Sequence, residues 1–321
     1  MRELTVGKLR GLQRCSTERK AFAVLALDHR NNLRRALNPE DPAQVSPSDM
    51  TAFKNQVVSI LSKPSSAVLL DPEVGAAQAV SAGAISAGTG LVVAVEATGY
   101  DGAATARDSR ILEGWSVAKA KRMGADAIKL LVYYHPGSST AQAIRDLVNQ
   151  TAEDCAAADI LLMVEPLSYS LDSNRKLTSN EKHEVVLQTA VDLTFTGVDV
   201  LKAEFPLDVA VDRDEHLWQT VCRELSEASP VPWILLSAGV SYETYLRQVV
   251  IACEAGASGV AAGRAVWKEA VGLDRDKRHS FLWTTAADRM KRLTSVCDAL
   301  GRPYSEFFTP PEPDENWYQT S

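Results

Sequence analysis

Short, almost continuously apolar runs recur along the chain at regular intervals. Runs of four to six residues without strict apolar–polar alternation are typical of parallel strands that are covered on both faces. The pattern therefore predicts eight buried β-strands, which span residues 22–27, 67–70, 91–95, 127–132, 160–164, 198–201, 233–236 and 259–262.

Segments with helical character separate these strands. Three of them run into a glycine that precedes the next strand, namely Gly124, Gly197 and Gly256. Glycine most readily adopts the left-handed conformation in which many helices end. Strand and helix thus alternate, which predicts βαβ units and a parallel sheet. The predicted helices span residues 49–61, 111–123, 141–158, 180–196, 214–229, 242–255 and 281–300.

Eight such units within about 250 residues are the number required for an α/β fold of the (β/α)8 TIM-barrel type. We predict a single barrel domain over residues 1–308 and an acidic, proline-containing tail over 309–321, either docked through its aromatic residues or disordered. A doubly wound sheet is the main alternative, but that fold usually carries a glycine fingerprint after its first strand. Here the first strand runs into Asp28, His29 and Arg30 instead.

Charge and composition narrow the function classes. The 321 residues include 34 Lys and Arg against 41 Asp and Glu, a net charge of −7. This argues against a nucleic-acid or membrane partner, because both require a basic surface, whereas a local cluster of cations still allows an anionic small substrate. The five cysteines form no CxxC pair, which predicts free thiols and a cytoplasmic location. No signal peptide or membrane-length apolar run is evident, and a homo-oligomer is left open.

Two lysines stand out, one within the fourth predicted strand and one in the continuation of the sixth. Side chains alternate across a strand, and Lys129 and Lys202 each lie between two apolar neighbours. Both are therefore predicted to point into the barrel, near the strand ends where such barrels carry their chemistry. A buried lysine is costly unless it is paired or functional, so each is either a buried ion pair or part of an active site.

The functional interpretation is covalent catalysis by Lys202. A lysine attacks a carbonyl only as the free amine, and a desolvated pocket and a neighbouring cation such as Lys129 both favour that form. The amine would form an imine with a ketone, and the protonated imine would accept the electrons of the adjacent carbon–carbon bond as it breaks. Glu165 ends the intervening strand and is predicted to move the proton of the reacting hydroxyl or to pair with Lys129.

The last two strands end in residues suited to an anion. Small residues let the backbone approach a ligand closely, and arginine offers a planar pair of donors. Loops after strands 7 and 8 often bind phosphate in this fold. We therefore predict a phosphate site at Ser237, Gly239, Gly263 and Arg264, with an ordinary turn and a solvated arginine as the alternative.

The other strand-end residues complete the predicted site. Asp28 and Asp71 are expected to orient substrate hydroxyls or to hold the imine lysine, and His29 and Arg30 to contact the substrate. A histidine that is only hydrogen-bonded is the alternative for His29. For the two aspartates, a helix cap or an ion pair at the rim is the alternative. The histidines lack a metal-binding spacing such as HExxH, so we predict no metal and no other cofactor.

Ordered sequence blocks around these positions match a known family. The chain resembles the class I tagatose 1,6-bisphosphate aldolases, the LacD-like family, and their relatives that cleave 6-deoxy-6-sulfofructose 1-phosphate. The resemblance covers residues 11–267 and rests on GLQRCS, ALALDHR, SSAVLLDPEVG, VEATGYD, ADAIKLLVYY, VDVLKAEFPL, LSAGVS and GRAVW. It implies that Lys202 forms the Schiff base, with Lys129, Glu165 and Asp28 beside it. It also implies that the SAG and GR blocks bind the phosphate on the ketone half.

Departures from the family pattern concern the substrate. The family commonly has Gln where this chain has His29, and the tagatose enzymes commonly read EKTGYD where this chain reads EATGYD. The missing lysine would remove one cation near the distal phosphate, and the Glu165-Pro166-Leu167 sequence is nearer to the sulfosugar relatives.

The expected reaction is cleavage of a ketose phosphate, foremost tagatose 1,6-bisphosphate, to dihydroxyacetone phosphate and a three-carbon aldehyde. The alternatives within the same chemistry are 6-deoxy-6-sulfofructose 1-phosphate or another ketose 1-phosphate. Other classes are a phosphosugar isomerase or epimerase, in which Glu165 shuttles a proton, and a non-catalytic phosphosugar-binding barrel.

Overall fold

Eight parallel strands close into a barrel, as predicted. The structure is a computed structural model and describes residues 1–195 and 197–319. Numbered in chain order, the barrel strands are β1 (Phe22–Ala26), β2 (Ala67–Leu70), β3 (Gly90–Ala94), β4 (Ala127–Tyr134), β5 (Leu161–Ser168), β6 (Val200–Ala203), β7 (Trp233–Leu236) and β8 (Gly259–Ala262). Each strand pairs with its neighbours in sequence, and β8 pairs with β1 to close the sheet. The TIM-barrel prediction is confirmed.

Side-chain alternation divides the core into two layers. One set of side chains, which includes Val24, Leu69 and Met163, packs inside the barrel, while the alternate set packs against the helices. In β4 and β6 the inward set includes Ala127 and Val200. The lysines two positions further along each strand therefore point inward, as the apolar neighbours of each had predicted.

Helices surround the barrel between the strands. They are Val6–Cys15, Asn31–Leu37, Pro47–Leu61, Ala76–Ser81, Val117–Met123, Ala141–Ala157, Ser179–Leu193, Glu215–Ala228, Tyr242–Glu254, Arg264–Trp267, Arg275–Phe281 and Ala287–Leu300, with a π-helical turn at Leu282–Ala286. Gly124, Gly197 and Gly256 have φ angles of 101°, 108° and 108°, so the predicted left-handed turns before the strands are confirmed. Position 196, the predicted end of one helix, lies outside the described residues.

One helix begins later than the apolar pattern predicts. Residues 111–123 were expected to be helical, yet the helix begins at Val117 because the Ser116 side chain caps it by accepting from the Lys119 N–H. Ile111 instead forms an isolated bridge with Glu96 beyond the end of β3. The preceding residues therefore belong to a loop over the barrel mouth.

Two strand pairs of the fold have no counterpart among the predicted strands. At the N-terminal end of the barrel, Arg2–Glu3 pairs in parallel with Phe308–Thr309, so the predicted start of the tail falls within this pair. At the opposite end, Asp101–Ala103 and Ala106–Asp108 form an antiparallel hairpin. Within the described part of the chain, no helix has the length and apolar character needed to span a membrane.

Candidate active site

A cavity of about 460 Å³ opens at the C-terminal ends of the barrel strands. It brings together most of the predicted site residues, which come from loops and strands far apart in sequence. Those that line it are Asp28, His29, Arg30, Lys129, Glu165, Lys202, Ser237, Gly263 and Arg264. Asp71 and Gly239 are not among the lining residues.

Lys129 lies at the centre of the charged cluster in this cavity. Its side chain is fully buried, and its Nζ lies 2.7 Å from Asp28 Oδ2, 2.6 Å from Glu96 Oε1 and 3.0 Å from Glu165 Oε2. Burial acts to lower the pKa of Lys129, but the charges of Asp28, Glu165 and Glu96 outweigh it and hold the pKa well above its ordinary value. Lys129 is therefore a permanent cation, positioned by three carboxylates.

Lys202 lies beside this cluster and forms an ion pair with Glu165. Its side chain is 4% exposed and its Nζ lies 2.8 Å from Glu165 Oε2. Glu165 Oε2 also contacts Lys129 Nζ, but this oxygen accepts no hydrogen bond of good geometry. Its contacts with Lys129 and Lys202 are therefore charge–charge contacts. Glu165 thus lies between a fixed ammonium and the second lysine, within proton-transfer distance of the latter.

Asp28 faces the same two lysines from the end of β1. Burial acts to raise its pKa, but the charges of Lys129 and Lys202 outweigh this and hold the pKa well below its usual value. Asp28 is consequently ionised at neutral pH and serves as an acceptor. It can orient an ammonium or a substrate hydroxyl.

The predicted anion site lies at the ends of β7 and β8. The Gly263 N–H donates to Ser237 Oγ at 3.2 Å, which joins the two loops. Arg264 forms no ion pair with a carboxylate of the described residues, whereas Lys129 and Lys202 do. Its guanidinium at the cavity wall is therefore available to an anion.

Gly239 supports this arginine from outside the cavity. Its φ angle is +80°, and a Cβ at this position would lie 3.1 Å from Arg264 Cζ. A larger residue would be strained in the left-handed conformation and would displace the guanidinium. Gly239 thus shapes the anion site indirectly, through the position of Arg264.

His29 is held neutral in the cavity wall. Its ring packs edge-on against Trp267, with 5.2 Å between the ring centroids. Burial lowers its pKa to about 4; the Asp28 charge opposes this shift, and the Arg264 charge adds to it. At neutral pH His29 therefore supplies hydrogen-bonding groups and no positive charge.

This low pKa predicts a pH-dependent loss of stability that His29→Gln removes. Between pH 6.5 and about 4 the unfolded chain binds a proton at His29 that the folded chain does not, so the free energy of unfolding falls as the pH falls. We expect His29 to contribute a loss of about 2 to 3 kcal/mol between pH 7.5 and 4.5. Urea unfolding of the wild type and H29Q at both pH values measures this loss of unfolding free energy. Equal losses in the two proteins would contradict a lowered pKa for His29.

Arg30 lines the cavity but is already engaged. Its guanidinium donates to Glu73 Oε2 at 2.7 Å and to the Glu96 carbonyl at 2.7 Å. These bonds hold the loop after β1 against the loops after β2 and β3. Arg30 therefore contributes to the wall of the cavity more than to a free anion site.

Asp71 does not reach the cavity, which corrects its prediction as a substrate-binding residue. Its fully buried carboxylate pairs with the fully buried Lys54 and accepts the backbone N–H groups of Glu73 at 3.0 Å and Val74 at 2.9 Å. A buried carboxylate needs such partners, and these bonds build the turn after β2. Asp71 thus forms an ion pair, as the alternative stated, but the pair is buried beneath the turn and not at the rim.

Sequence reasoning left Glu96 out of the site. It is 4% exposed, accepts from Lys129 through Oε1 at 2.6 Å and accepts the Leu131 N–H through Oε2 at 3.1 Å. Its position at the end of a predicted strand was visible in the sequence. A buried, inward-pointing lysine can require more than one negatively charged partner, and this requirement could have identified Glu96.

Comparison with known proteins identifies the family of the chain. The family model of the DeoC/LacD family aldolases matches residues 22–269. The tagatose 1,6-diphosphate aldolase of Listeria monocytogenes serotype 4a (strain HCC23) is 32% identical over 331 aligned positions, which cover 95% of each chain.

Two solved structures share the fold. One is an archaeal fructose-1,6-bisphosphate aldolase with its catalytic lysine covalently bound to the carbinolamine intermediate (TM-score 0.57, 20% identity, 90% of this chain and 98% of that chain). The other is the fructose-bisphosphate aldolase of Plasmodium falciparum (TM-score 0.72, 14% identity, 94% and 98%). On the family match and the full-length relative, this chain belongs to the DeoC/LacD family of aldolases, which are carbon–carbon lyases.

Proposed function

We propose that this aldolase cleaves a ketose phosphate, foremost tagatose 1,6-bisphosphate, through a Schiff base on Lys202. The observation that carries the proposal is the buried Lys202 ammonium, 2.8 Å from Glu165 Oε2 at the mouth of the barrel. A lysine in this position has a carboxylate to take its proton and a cavity in which to meet a carbonyl. The name of the Listeria relative supports the choice of sugar.

The charges of the cluster support the following proton transfers. Glu165 takes a proton from Lys202, whose free amine adds to the C2 carbonyl, and returns it to the hydroxyl that leaves the carbinolamine as water. The product is a protonated imine. Glu165 then accepts the C4 hydroxyl proton while the C3–C4 electrons move into the imine, so that a three-carbon aldehyde leaves and an enamine remains.

Completion of the cycle requires a proton at C3 and water at the imine. Protonation of C3 regenerates the imine, and hydrolysis releases dihydroxyacetone phosphate and the Lys202 amine. Lys129 keeps its proton throughout because three carboxylates surround it, so its role is to hold Asp28 and Glu165 in place and to stabilise developing negative charge.

The phosphate on the ketone half is placed against the ends of β7 and β8. Arg264 would bind two of its oxygens, with Ser237 and the Gly263 loop at its side. This position is next to β6 in the barrel order, so the neighbouring carbonyl carbon falls near Lys202.

We propose that no metal takes part and that the enzyme works in the cytoplasm. The lysine imine supplies the electron sink, and within the described ranges no three His, Cys, Asp or Glu side chains form a metal-binding cluster. All five cysteines are free and buried, which favours a reducing compartment.

A product-resolved substrate panel tests the proposed function. Tagatose and fructose bisphosphates, their 1-phosphates and the 6-sulfonate analogue are compared by kcat/KM with and without EDTA. We expect dihydroxyacetone phosphate as a product and no effect of EDTA. Accumulation of a single six-carbon product would favour an isomerase or epimerase, and activity that EDTA removes and zinc restores would contradict the metal-free mechanism.

A further inference from the structure

Arg107, on the hairpin over the barrel mouth, is held among three tyrosines. Its guanidinium carbon lies 4.6 Å from the ring centre of Tyr100, 5.3 Å from that of Tyr133 and 4.7 Å from that of Tyr169. We call these three residues the tyrosine cage. Cation–π contacts of this kind fix a cation without neutralising it.

Hydrogen bonds fix the backbone of this residue as well. The Arg107 N–H donates to the Tyr169 hydroxyl at 3.4 Å, and its carbonyl accepts from Thr140 Oγ1 at 2.9 Å. Arg107 Nε donates to the Ala104 carbonyl at 3.0 Å. The guanidinium is therefore positioned before any ligand arrives, which reduces the entropy that binding would cost.

The charge of Arg107 has no counter-charge among the described residues. Its hairpin neighbour Arg110 pairs with Asp101 at 2.9 Å, and Arg30 pairs with Glu73. Like Arg264, Arg107 is half-buried and forms no ion pair with a described residue. An unneutralised, preorganised cation is suited to an anionic group of a ligand.

The barrel order places Arg107 and Arg264 on opposite sides of the mouth. In a ring of eight strands, β3 and β4 lie four positions from β7 and β8. The hairpin with Arg107 follows β3, and Tyr133, near the end of β4, lines the cavity together with Gly99. Arg107 is not itself among the lining residues, but its guanidinium carbon lies 5.3 Å from the ring centre of Tyr133, which is. A sugar whose first phosphate binds Arg264 and whose carbonyl meets Lys202 therefore extends toward the rim that Tyr133 and Arg107 form.

We propose that Arg107, held by the tyrosine cage, selects substrates with a second tetrahedral oxyanion at the end distant from the ketone. The inference rests on the proposed function, because the position of the first phosphate defines the distant end. A phosphate and a sulfonate share the required chemistry, since both offer oxygens to the two outer guanidinium nitrogens.

The test compares substrates within each enzyme variant. The kcat/KM of a ketose 1,6-bisphosphate and of its 6-sulfonate analogue are each divided by that of the corresponding ketose 1-phosphate. We expect Arg107→Gln to lower both ratios roughly tenfold or more, which is typical for loss of a charge-assisted hydrogen bond, and Arg107→Lys to recover part of the loss. If only one ratio falls, the site is specific for that oxyanion.

Two arginines serve as comparisons. Arg110→Gln removes a cation of the same loop that is already paired with Asp101, and we expect its ratios to stay within twofold of the wild type. Arg35 lines the cavity from the helix after β1, next to β8. If Arg35→Gln lowers the ratios and R107Q does not, the distant anion binds at that helix and the proposal is overturned.

The outcome for the wild type separates this inference from the proposed function. No cleavage of any ketose phosphate would refute the proposed function itself. Cleavage of bisphosphate and 1-phosphate with equal kcat/KM would leave the aldolase function intact and refute selection by Arg107. Because each ratio is internal to one preparation, a partly unfolded variant does not distort it.

Discussion

Replacing Lys202 with methionine is expected to abolish cleavage, with a fall in kcat of roughly four orders of magnitude or more, as is typical when the nucleophile of a covalent mechanism is lost. The fold should survive, because Glu165 keeps its contact with Lys129 at 3.0 Å and is not left as an unpaired buried charge. In the wild type, borohydride with dihydroxyacetone phosphate should leave an adduct on Lys202. Mass spectrometry of the digested protein locates it.

Lys202→Arg is the matched control for this experiment. It retains a cation next to Glu165 but has no amine that can form an imine, since a guanidinium is not deprotonated in proteins. We expect K202R to be as inactive as K202M and to give no adduct. Cleavage by either variant at the wild-type rate, or an adduct on a different lysine, would refute the Schiff base on Lys202.

Replacing Lys129 with methionine is expected to cost about 3 to 5 kcal/mol in the free energy of unfolding, the range for breaking a buried ion pair. The side chain is fully buried, and its loss leaves Asp28, Glu96 and Glu165 facing one another without the cation that holds them. Activity should fall with stability, because Glu165 and Asp28 lose their positions. Urea unfolding at pH 7 measures the first effect.

The pH dependence distinguishes repulsion among these carboxylates from a simple loss of packing. In the wild type the pKa of Asp28 is held well below its usual value. The ionised Asp28 therefore stabilises the fold at any pH above its pKa in the unfolded chain, and this stabilisation is lost only as the pH falls through its lower pKa in the folded protein. In K129M the carboxylates should bind protons at higher pH. The difference in the free energy of unfolding between the wild type and K129M is therefore expected to become smaller from pH 7 to pH 5.

A double variant provides the control for this prediction. Glu96→Gln in the K129M background removes one of the three negative charges and should restore part of the stability, because coupled charges in contact are not additive. A difference that stays constant with pH, or a double variant less stable than K129M, would refute the electrostatic account.

The positions of the two lysines were readable from the sequence, but their partners were not. Apolar neighbours on both sides of Lys129 and Lys202 fixed the face of the strand on which each lies, because alternation in a strand is a local property. Which carboxylates meet Lys129 depends on the closure of the barrel, which joins strand ends that are distant in sequence. Glu96 was therefore missed, although Asp28 and Glu165 were predicted to be near.

Asp71 and Arg107 show two ways in which local sequence patterns fail to predict site residues, since Asp71 was predicted but does not line the cavity and Arg107 was not predicted. Asp71 follows a strand just as Asp28 does, but its carboxylate pairs with the buried Lys54 of a neighbouring helix and does not line the cavity. Arg107 lies thirteen residues beyond the end of β3, and the hairpin and the tyrosines of three separate segments bring it to the mouth. Local patterns carry no information about either encounter.

The sequence by itself determined the eight strands, their order and the inward phase of the lysines, since burial on both faces and side-chain alternation are written in local residue patterns. The tertiary structure alone decided that three carboxylates share Lys129 and that Glu165 lies between two lysines. It also decided that Arg264 and Arg107 form no ion pair with a described residue and lie on opposite sides of the barrel mouth. These properties depend on distances across a closed barrel, and charge–charge energies change steeply with such distances once water is excluded.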